Sequence, residues 1–391
     1  MANLLLLILP VWSLATPDGF PPALHRKGCL PEDGQAKLFC PEVVLDDTET
    51  YGCYKIPTIM RTLDGTLLAM VEARKYSCDD QGYVDLRLRR SQDEGKTWEP
   101  SILVHGQPDE TWTTVGDGTG VVDHTTGVIH LLHTHNNTRL FLSNSADEGL
   151  TWSEPVDVSE TLKLGTTDTG WVGTGHAGGM QLSAGPKAGR LIIPTYSGSG
   201  SYAVYSDDQG ATWSTGEPVT GVEFGKDSGA GEHQISETGT FAEDGTPILL
   251  MNRRNSPKMP NLIGITSRGR RLLSYSHDGG ETWGEVWQAK ELPEPIKGCE
   301  GSTIFHEPSN KLYFSHPDPK HGLFRANMKV WSSADAGKSW QEEAVVWDSA
   351  AGYSALVNMK DDNTLGLFYG RNNHTMTIFE AQEMSFATVE L

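Results

Sequence analysis

The chain has 391 residues, more than an ordinary single globular unit but within reach of a repeat protein built as one body. Its formal net charge of −20 argues against nucleic acid and anionic membrane surfaces as partners, and a hydrophobic fraction of 37% leaves no spanning segment inside the body. With 43 Gly, 21 Pro and 11 Trp, the composition suits many short strands joined by tight turns.

Residues 1–15, MANLLLLILPVWSLA, read as a signal peptide with Leu4–Leu9 as its apolar stretch and Ser13-Leu14-Ala15 as the cleavage site, which predicts a secreted or lumenal protein. The sequons at Asn136 and Asn373 are compatible with that route. Residues 16–50 form a Pro-, Gly- and charge-rich lead-in, expected to wrap the outside of a body spanning 51–391. From Tyr54 the pattern is that of strands: KIPTIMRT, then TLLAMVEAR after an Asp64-Gly65 turn, then YVDLRLRRS. GVVDHTTGVIHLLHTH predicts a hairpin about Thr126-Gly127, followed by RLFLSNS. The pairs RLIIPTYS and SYAVYS, PILLMNRRN and RLLSYS, and KLYFSHP and NMKVWSS follow. SALVNMKDD, TLGLFYGR and MTIFEAQ make about three more strands, and a strand from the N-terminal region is expected to join them in a last unit that closes the ring. No stretch carries a helical stripe, so the fold class expected is all-β.

Each run of strands ends in one octapeptide, S-x-D-x-G-x-[TS]-W, beginning at Ser91, Ser145, Ser206, Ser276 and Ser333, so successive starts are 54, 61, 70 and 57 residues apart. That period is a supersecondary unit. The Asp is expected to accept backbone N–H groups two residues on, Gly to take the φ > 0 position, and Trp to pin the turn to the body of its own unit. These aspartates are structural and none is a catalytic candidate. Five cysteines fit one or two disulfides with a thiol left over, and the lack of C-x-x-C argues against structural zinc. His130, His133 and His135 lie on a strand whose alternation separates His130 from His133, which favours packing or surface roles over metal binding.

The octapeptides resemble the Asp-boxes of sialidase-type β-propellers. Other segments carry the resemblance further, over nearly the whole chain after residue 50. CYKIPTIMRTLDGTLLAMVEARK resembles the opening blade of the exo-α-sialidases (Y/F-R-I-P, a turn, A-E-x-R), and SCDDQGYVDLRLRRS their acid-bearing loop. GHAGGMQL with GRLIIPTY, GEHQISE with LLMNRRN, SHPDPKHGLFRANMKVWSS, and GYSALV are similar to later motifs, in family order. The resemblance implies a six-bladed β-propeller, five blades carrying Asp-boxes, that releases terminal α-linked sialic acid from glycans, glycoproteins or glycolipids with retention and without metal or cofactor. A sialic acid carries a carboxylate on its anomeric carbon, which repels an anionic nucleophile, so such enzymes attack with a neutral tyrosine whose proton goes to a neighbouring Glu.

On this resemblance Tyr353 is the nucleophile and Glu232 its base, with Glu237 as fallback. Asp80 is the general acid/base, with Asp79 as runner-up. Arg325 and Arg254 (or Arg253, offset by one) grip the substrate carboxylate, and Arg74 is a further pocket arginine beside the acid. His176 is a pocket-lining candidate. The pattern departs from the family twice. Lys55 stands where the first arginine belongs, and Gly370 where a glutamate buttresses that arginine. Lys55 is expected to make one contact to the carboxylate, with Arg371 as a competitor that strand alternation points to the opposite side from Gly370. The implied pocket brings Cys53 and Cys78 together as a disulfide tying the Lys55 strand to the Asp80 loop. Hydrolysis of another ulosonic acid such as Kdn or Kdo, transfer to a sugar acceptor, and a non-catalytic sialic-acid-binding propeller are the rival readings. Retention of Asp80, Glu232 and Tyr353 together argues against the last.

Overall fold

The computed structural model describes residues 33–42, 50–106, 113–164, 170–219, 231–255, 269–295, 298–318, 325–372 and 383–391. The signal-peptide reading, the Asn373 sequon and the segment MTIFEAQ lie outside them. Within them the fold is all-β, with one four-residue helical turn, α1 (Ser159–Leu162), and no helix long and apolar enough to cross a membrane.

The strands follow the chain. After β1 (Ala36–Phe39), the first sheet runs β2 (Cys53–Arg61), β3 (Leu67–Arg74), β4 (Val84–Ser91), β5 (Ile102–His105). The second runs β6 (Val115–Val122), β7 (Ile129–His135), β8 (Arg139–Ser145), β9 (Val156–Asp157). In the third, β10 (Val172–Thr174) and β11 (Met180–Gln181) both pair β12 (Leu191–Ser197), followed by β13 (Gly200–Ser206) and β14 (Ser214–Thr215). The fourth runs β15 (His233–Phe241), β16 (Pro247–Arg253), β17 (Arg270–Ser276), β18 (Trp287–Pro293). A seven-stranded sheet holds β19 (Ser302–His306), β20 (Lys311–Pro317), β21 (Ala326–Ser333), β22 (Gln341–Asn358), β23 (Thr364–Arg371) and β24 (Glu383–Glu390), with β1 added on the far side of β24. The 18-residue β22 serves twice: its first half pairs β21, its second half pairs β23. All ladders are antiparallel, and the turns at Gly65 (φ 95°) and Gly127 (φ 78°) fall where the sequence places them.

Neighbouring sheets meet along their leading strands: β2 touches β6 and β22, β6 touches β10 and β12, β12 touches β15, β15 touches β19, and β19 touches β22. Buried polar side chains tie these strands where no ladder runs. Thr58 Oγ1 donates to Gly118 O at 2.8 Å, Asn252 Nδ2 to Thr303 Oγ1 at 2.7 Å, and Leu356 N to Ser302 Oγ at 3.0 Å. The apolar clusters lie between sheets. Leu68, Met70 and Leu88 pack with Ile129 and Leu131, for example, and Ile192 and Ala203 pack with Ile235 and Leu249. Truncating one such leucine to alanine costs about 2–5 kcal/mol.

The five octapeptides share one geometry, and it differs from expectation in two ways. Each Asp accepts from the Thr or Ser four residues on, not two: Thr97 N donates to Asp93 Oδ1 at 2.8 Å and Thr97 Oγ1 to Asp93 Oδ2 at 2.6 Å, and the same pair recurs at Asp147, Asp208, Asp278 and Asp335. Two consecutive residues with φ > 0 (61° at Glu94, 78° at Gly95) curl the turn tightly enough for that reach. The Trp side chain also packs on more than its own unit. Trp213 joins Val121, Leu132 and Leu140 of the preceding sheet to Leu191 and Val204 of its own, and Trp152 packs against the cluster in which Leu68 and Leu88 of the preceding sheet meet Ile129 and Leu131 of its own. The turn glycine presses on that preceding sheet as well; a Cβ on Gly210 would sit 2.1 Å from His130 Cε1.

Candidate active site

Tyr353 lies in the second half of β22, Glu232 just before β15, and Arg254 just after β16. The β15–β16 register sets Arg253 opposite His233, and Arg254 N donates to Glu232 O at 3.1 Å, so the last two meet at the sheet end. Tyr353 Oη donates to Glu232 Oε2 at 2.9 Å, while Arg254 Nη1 donates to Tyr353 Oη at 2.8 Å and also bonds Glu232 Oε2. Burial pushes the Tyr353 phenol well above its ordinary pKa, and the Glu232 charge adds to this against the pull of Arg254. Burial also works to raise Glu232, but the Arg254 guanidinium holds its carboxyl below the usual range. The pair is therefore a neutral phenol donating to an ionised carboxylate.

Arg325, just ahead of β21, sets its guanidinium carbon 5.1 Å from the Tyr353 ring centroid and donates through Nη2 to Gly298 O at 2.8 Å. His176 is buried and its ring stacks on that of Tyr353, with centroids 5.2 Å apart and planes 28° from parallel. Arg74, at the end of β3, holds the acid candidate: its Nη1 donates to Asp80 Oδ1 at 2.8 Å, and its Nε to Glu72 Oε2 at 2.9 Å. The Asp80 side chain remains 68% exposed. Desolvation acts to raise its carboxyl, but the charges of Arg74, Lys55 and Arg254 hold it below the usual range. Lys55 Nζ donates to Cys78 O at 2.8 Å. The disulfide Cys53–Cys78 is present, with Cα atoms 5.5 Å apart, and Cys299 is a buried thiol.

The structure thus gathers Asp80, Glu232, Tyr353, Lys55, Arg74, Arg254 and Arg325 at one end of the strands. The fallback positions lie elsewhere. Glu237 accepts from Ser183 N and Oγ, both at 2.7 Å, and Arg253 is buried on the other side of its strand. Arg371 is held by Glu383 at 2.7 Å and by Asp33, with its guanidinium over Trp347, so it does not fill the place beside Gly370. Asp79 is exposed, and its backbone N–H donates to Ser77 Oγ. His133 stacks with His105 and has the tilted ring of His135 beside it, and His130 bonds Asn144. No metal-binding cluster occurs among the described residues.

Two acids escaped the sequence reading. Asp117 is buried, bonds Tyr196 Oη at 3.2 Å, and gives its backbone N–H to Glu72 Oε1 at 2.7 Å. Burial, with the charges of Glu72, Glu232 and Asp80, pushes its carboxyl well above the usual range. Its signal was the GDGTG run, since Asp tolerates the φ of 47° that a bulge demands there. Glu72 stands two residues before Arg74, on the same strand face. Positive φ recurs beside the site, at Ile56 (57°) next to Lys55, at Ala177 (79°) next to His176 and at Asn327 (51°) near Arg325. For the β-branched Ile56 that is strain held by its surroundings.

Residues 65–369 match the BNR repeat-like domain family. A sialidase of Micromonospora viridifaciens is 29% identical over 405 aligned residues, covering 93% of this chain and 57% of that protein. A sialidase of Bacteroides fragilis (strain YCH46) is 28% identical over 375, covering 85% and 62%. The chain therefore spans less than two thirds of either relative. The solved Hadza microbial sialidase Hz136 superposes with a TM-score of 0.69 at 24% identity, over 87% of this chain and 66% of that one.

Proposed function

Since the chain belongs to the BNR repeat-like domain family, we propose that it is a retaining exo-α-sialidase acting on sialylated glycans, glycoproteins or glycolipids. The observation that carries this reading is the Tyr353 phenol, hydrogen-bonded to the ionised Glu232 and to Arg254 within a cluster of cations. The relatives' names point the same way. On this proposal an anionic sugar settles among Arg254, Arg325 and Lys55, the local positive field that the overall charge of −20 withholds. Tyr353 attacks the anomeric carbon as its proton passes to Glu232, and Asp80 protonates the departing oxygen, then deprotonates water in the second step. Arg74 positions Asp80. Asp80 is ionised in the free protein; a bound carboxylate offsets the cations that keep it so and lets it gain the proton it must donate.

We further propose that the sheets make six blades around a central axis, β22 contributing to the fifth and the sixth. Support comes from the succession of leading-strand contacts that returns from β22 to β2, and from Gly95, whose Cβ would lie 2.3 Å from Phe386 of β24. Residues 51–391 would then form one catalytic body behind the lead-in, delivered by secretion.

Tyr353→Phe removes one oxygen and should lower kcat by several orders of magnitude with the melting curve intact. A 3-fluoro ulosonic acid fluoride should label Tyr353, and label on Asp79, Asp80 or Glu232 instead would refute the assignment. Running the same protein against fluorogenic α-glycosides of Neu5Ac, Neu5Gc, Kdn and Kdo identifies the sugar.

A further inference from the structure

At the opposite end of the strands from Glu232, the junction of the fourth sheet and the fifth octapeptide is open where its counterpart one unit earlier is shut. On the third sheet Tyr205 directly precedes the octapeptide serine. Arg190 covers its ring, with the guanidinium carbon 4.0 Å from the centroid, and is pinned by Asp207 at 2.6 Å and by Glu281 of the next octapeptide at 2.9 Å. On the fourth sheet Tyr275 holds the place of Tyr205. The registers Leu191↔Ser206 and Leu249↔Ser276 make Ile248 the counterpart of Arg190. The sixth residue of the following octapeptide, Glu281 in one case, is Lys338 in the other. Both halves of the lid are replaced, and Lys338 has no ion-pair partner among the described residues.

Two adjoining hollows of about 440 and 470 Å³ meet there at Tyr275, His277 and Lys338. Each lies in the range of small-molecule sites. Tyr275 and Trp287, centroids 4.6 Å apart and planes 49° from parallel, form a shallow aromatic V, fixed because Tyr275 Oη donates to Ala336 O at 2.7 Å. The irregularity in β15 around Gly239 (φ 74°) leaves Thr240 exposed at the rim. Aromatic faces beside a few hydroxyl and N–H groups suit a pyranose, whose C–H face packs on a ring while its hydroxyls bond the rim. The overall charge of −20 disfavours a polyphosphate chain as the occupant of Lys338 and His277.

We propose that this cleft is a second glycan-binding site, taking one or two neutral hexose units, with Tyr275 and Trp287 as the platform and His277, Lys338 and Thr240 as the polar rim. Thr240 lies eight residues along from Glu232, about 25 Å at strand rise, so the cleft can hold a glycan chain independently of the candidate active site. It would raise the local concentration of a branched or polymeric substrate without touching the chemistry.

The test uses the full chain, with lactose, cellobiose and maltose as probes in saturation-transfer NMR and isothermal titration. At least one should bind saturably with Kd of about 1 mM or tighter. Ile248→Arg with Lys338→Glu, which rebuilds the lid found one unit earlier, should weaken that binding at least tenfold and leave turnover of a small fluorogenic sialoside unchanged. Should that pair lower the melting temperature, the exposed changes Thr240→Ala and His277→Ala must still weaken binding severalfold. No saturable binding of any probe, binding that none of these substitutions weakens, or a cleft that takes peptides in place of sugars overturns the proposal. The binding readout stands whether or not the chain proves to be a sialidase.

Discussion

Lys55 and Arg74 both donate to the carbonyl of Cys78, at 2.8 and 2.7 Å, so the disulfide that closes the Asp80 loop also gathers the two cations nearest the acid. On the proposed chemistry, Lys55→Ala should therefore do two things. Losing one charge-assisted contact to the substrate costs about 1–2 kcal/mol, roughly 5–30-fold in kcat/KM, appearing mainly in KM. Removing a charge that keeps the Asp80 carboxyl low also raises its pKa; because the acid must be protonated, the alkaline limb of kcat/KM should move to higher pH. A purely structural role for Lys55 would leave that limb in place. Glu237→Gln should leave kcat within about twofold, since its carboxylate is engaged by Ser183, whereas Glu232→Gln should abolish the acceptor for the Tyr353 proton. Much of this was legible in the residue order. The choices of Glu232 over Glu237 and of Arg254 over Arg253 rest on motif offsets; in the structure Glu232 and Arg254 meet Tyr353, while Glu237 meets Ser183. Asp117 was not legible, because an acid whose carboxyl is pushed up by burial and three neighbouring carboxylates is defined by what other sheets bring to it.

The octapeptide turn joins two sheets, and its glycine meets two demands at once. Gly210 has φ 86° and stands against the His130 ring, whereas Gly245 has φ 84° and open space, with no heavy atom within 4 Å of where a Cβ would sit. Each change to alanine incurs about 1–2 kcal/mol for a left-handed residue. Gly210→Ala adds an overpacking cost of about 1–3 kcal/mol, so urea midpoints of the two variants should separate clearly. Equal midpoints would mean that the turn does not bear on the preceding sheet. The turns themselves were readable from the repeat, since Asp, Gly and Trp stand at fixed offsets. Their partners were not, because a Trp announces that it needs a hydrophobic neighbour without saying which sheet supplies it. An N-terminal strand was expected in the last sheet, but its place at Ala36–Phe39 was not legible, because four residues carry too short a pattern to stand out from a Pro- and Gly-rich run.

For the whole molecule, acid is the condition that tests these joints together. All five turn aspartates are held below the ordinary carboxylate range, Asp93 at about 2 through its bonds to Thr97, and Glu94 is held at about 2 by Arg61. Groups depressed in the folded state stabilise it above their unfolded pKa of about 4, and that contribution is lost as pH falls towards about 2. The melting temperature should hold from neutral pH to about 5 and then drop steeply, with net proton uptake on unfolding. A melting temperature flat down to about pH 2 would show the turns to be energetically idle. The β1–β24 pairing has a separate, mechanical consequence. Ala36 lies opposite Phe386 and Phe39 opposite Met384, so the chain enters β1 at the end of the ladder where β24 runs on towards its own last residue. A force applied to residues 33 and 391 together would load those rungs one after another, as in peeling, so β1 should strip away at low force before the sheets behind it feel the pull.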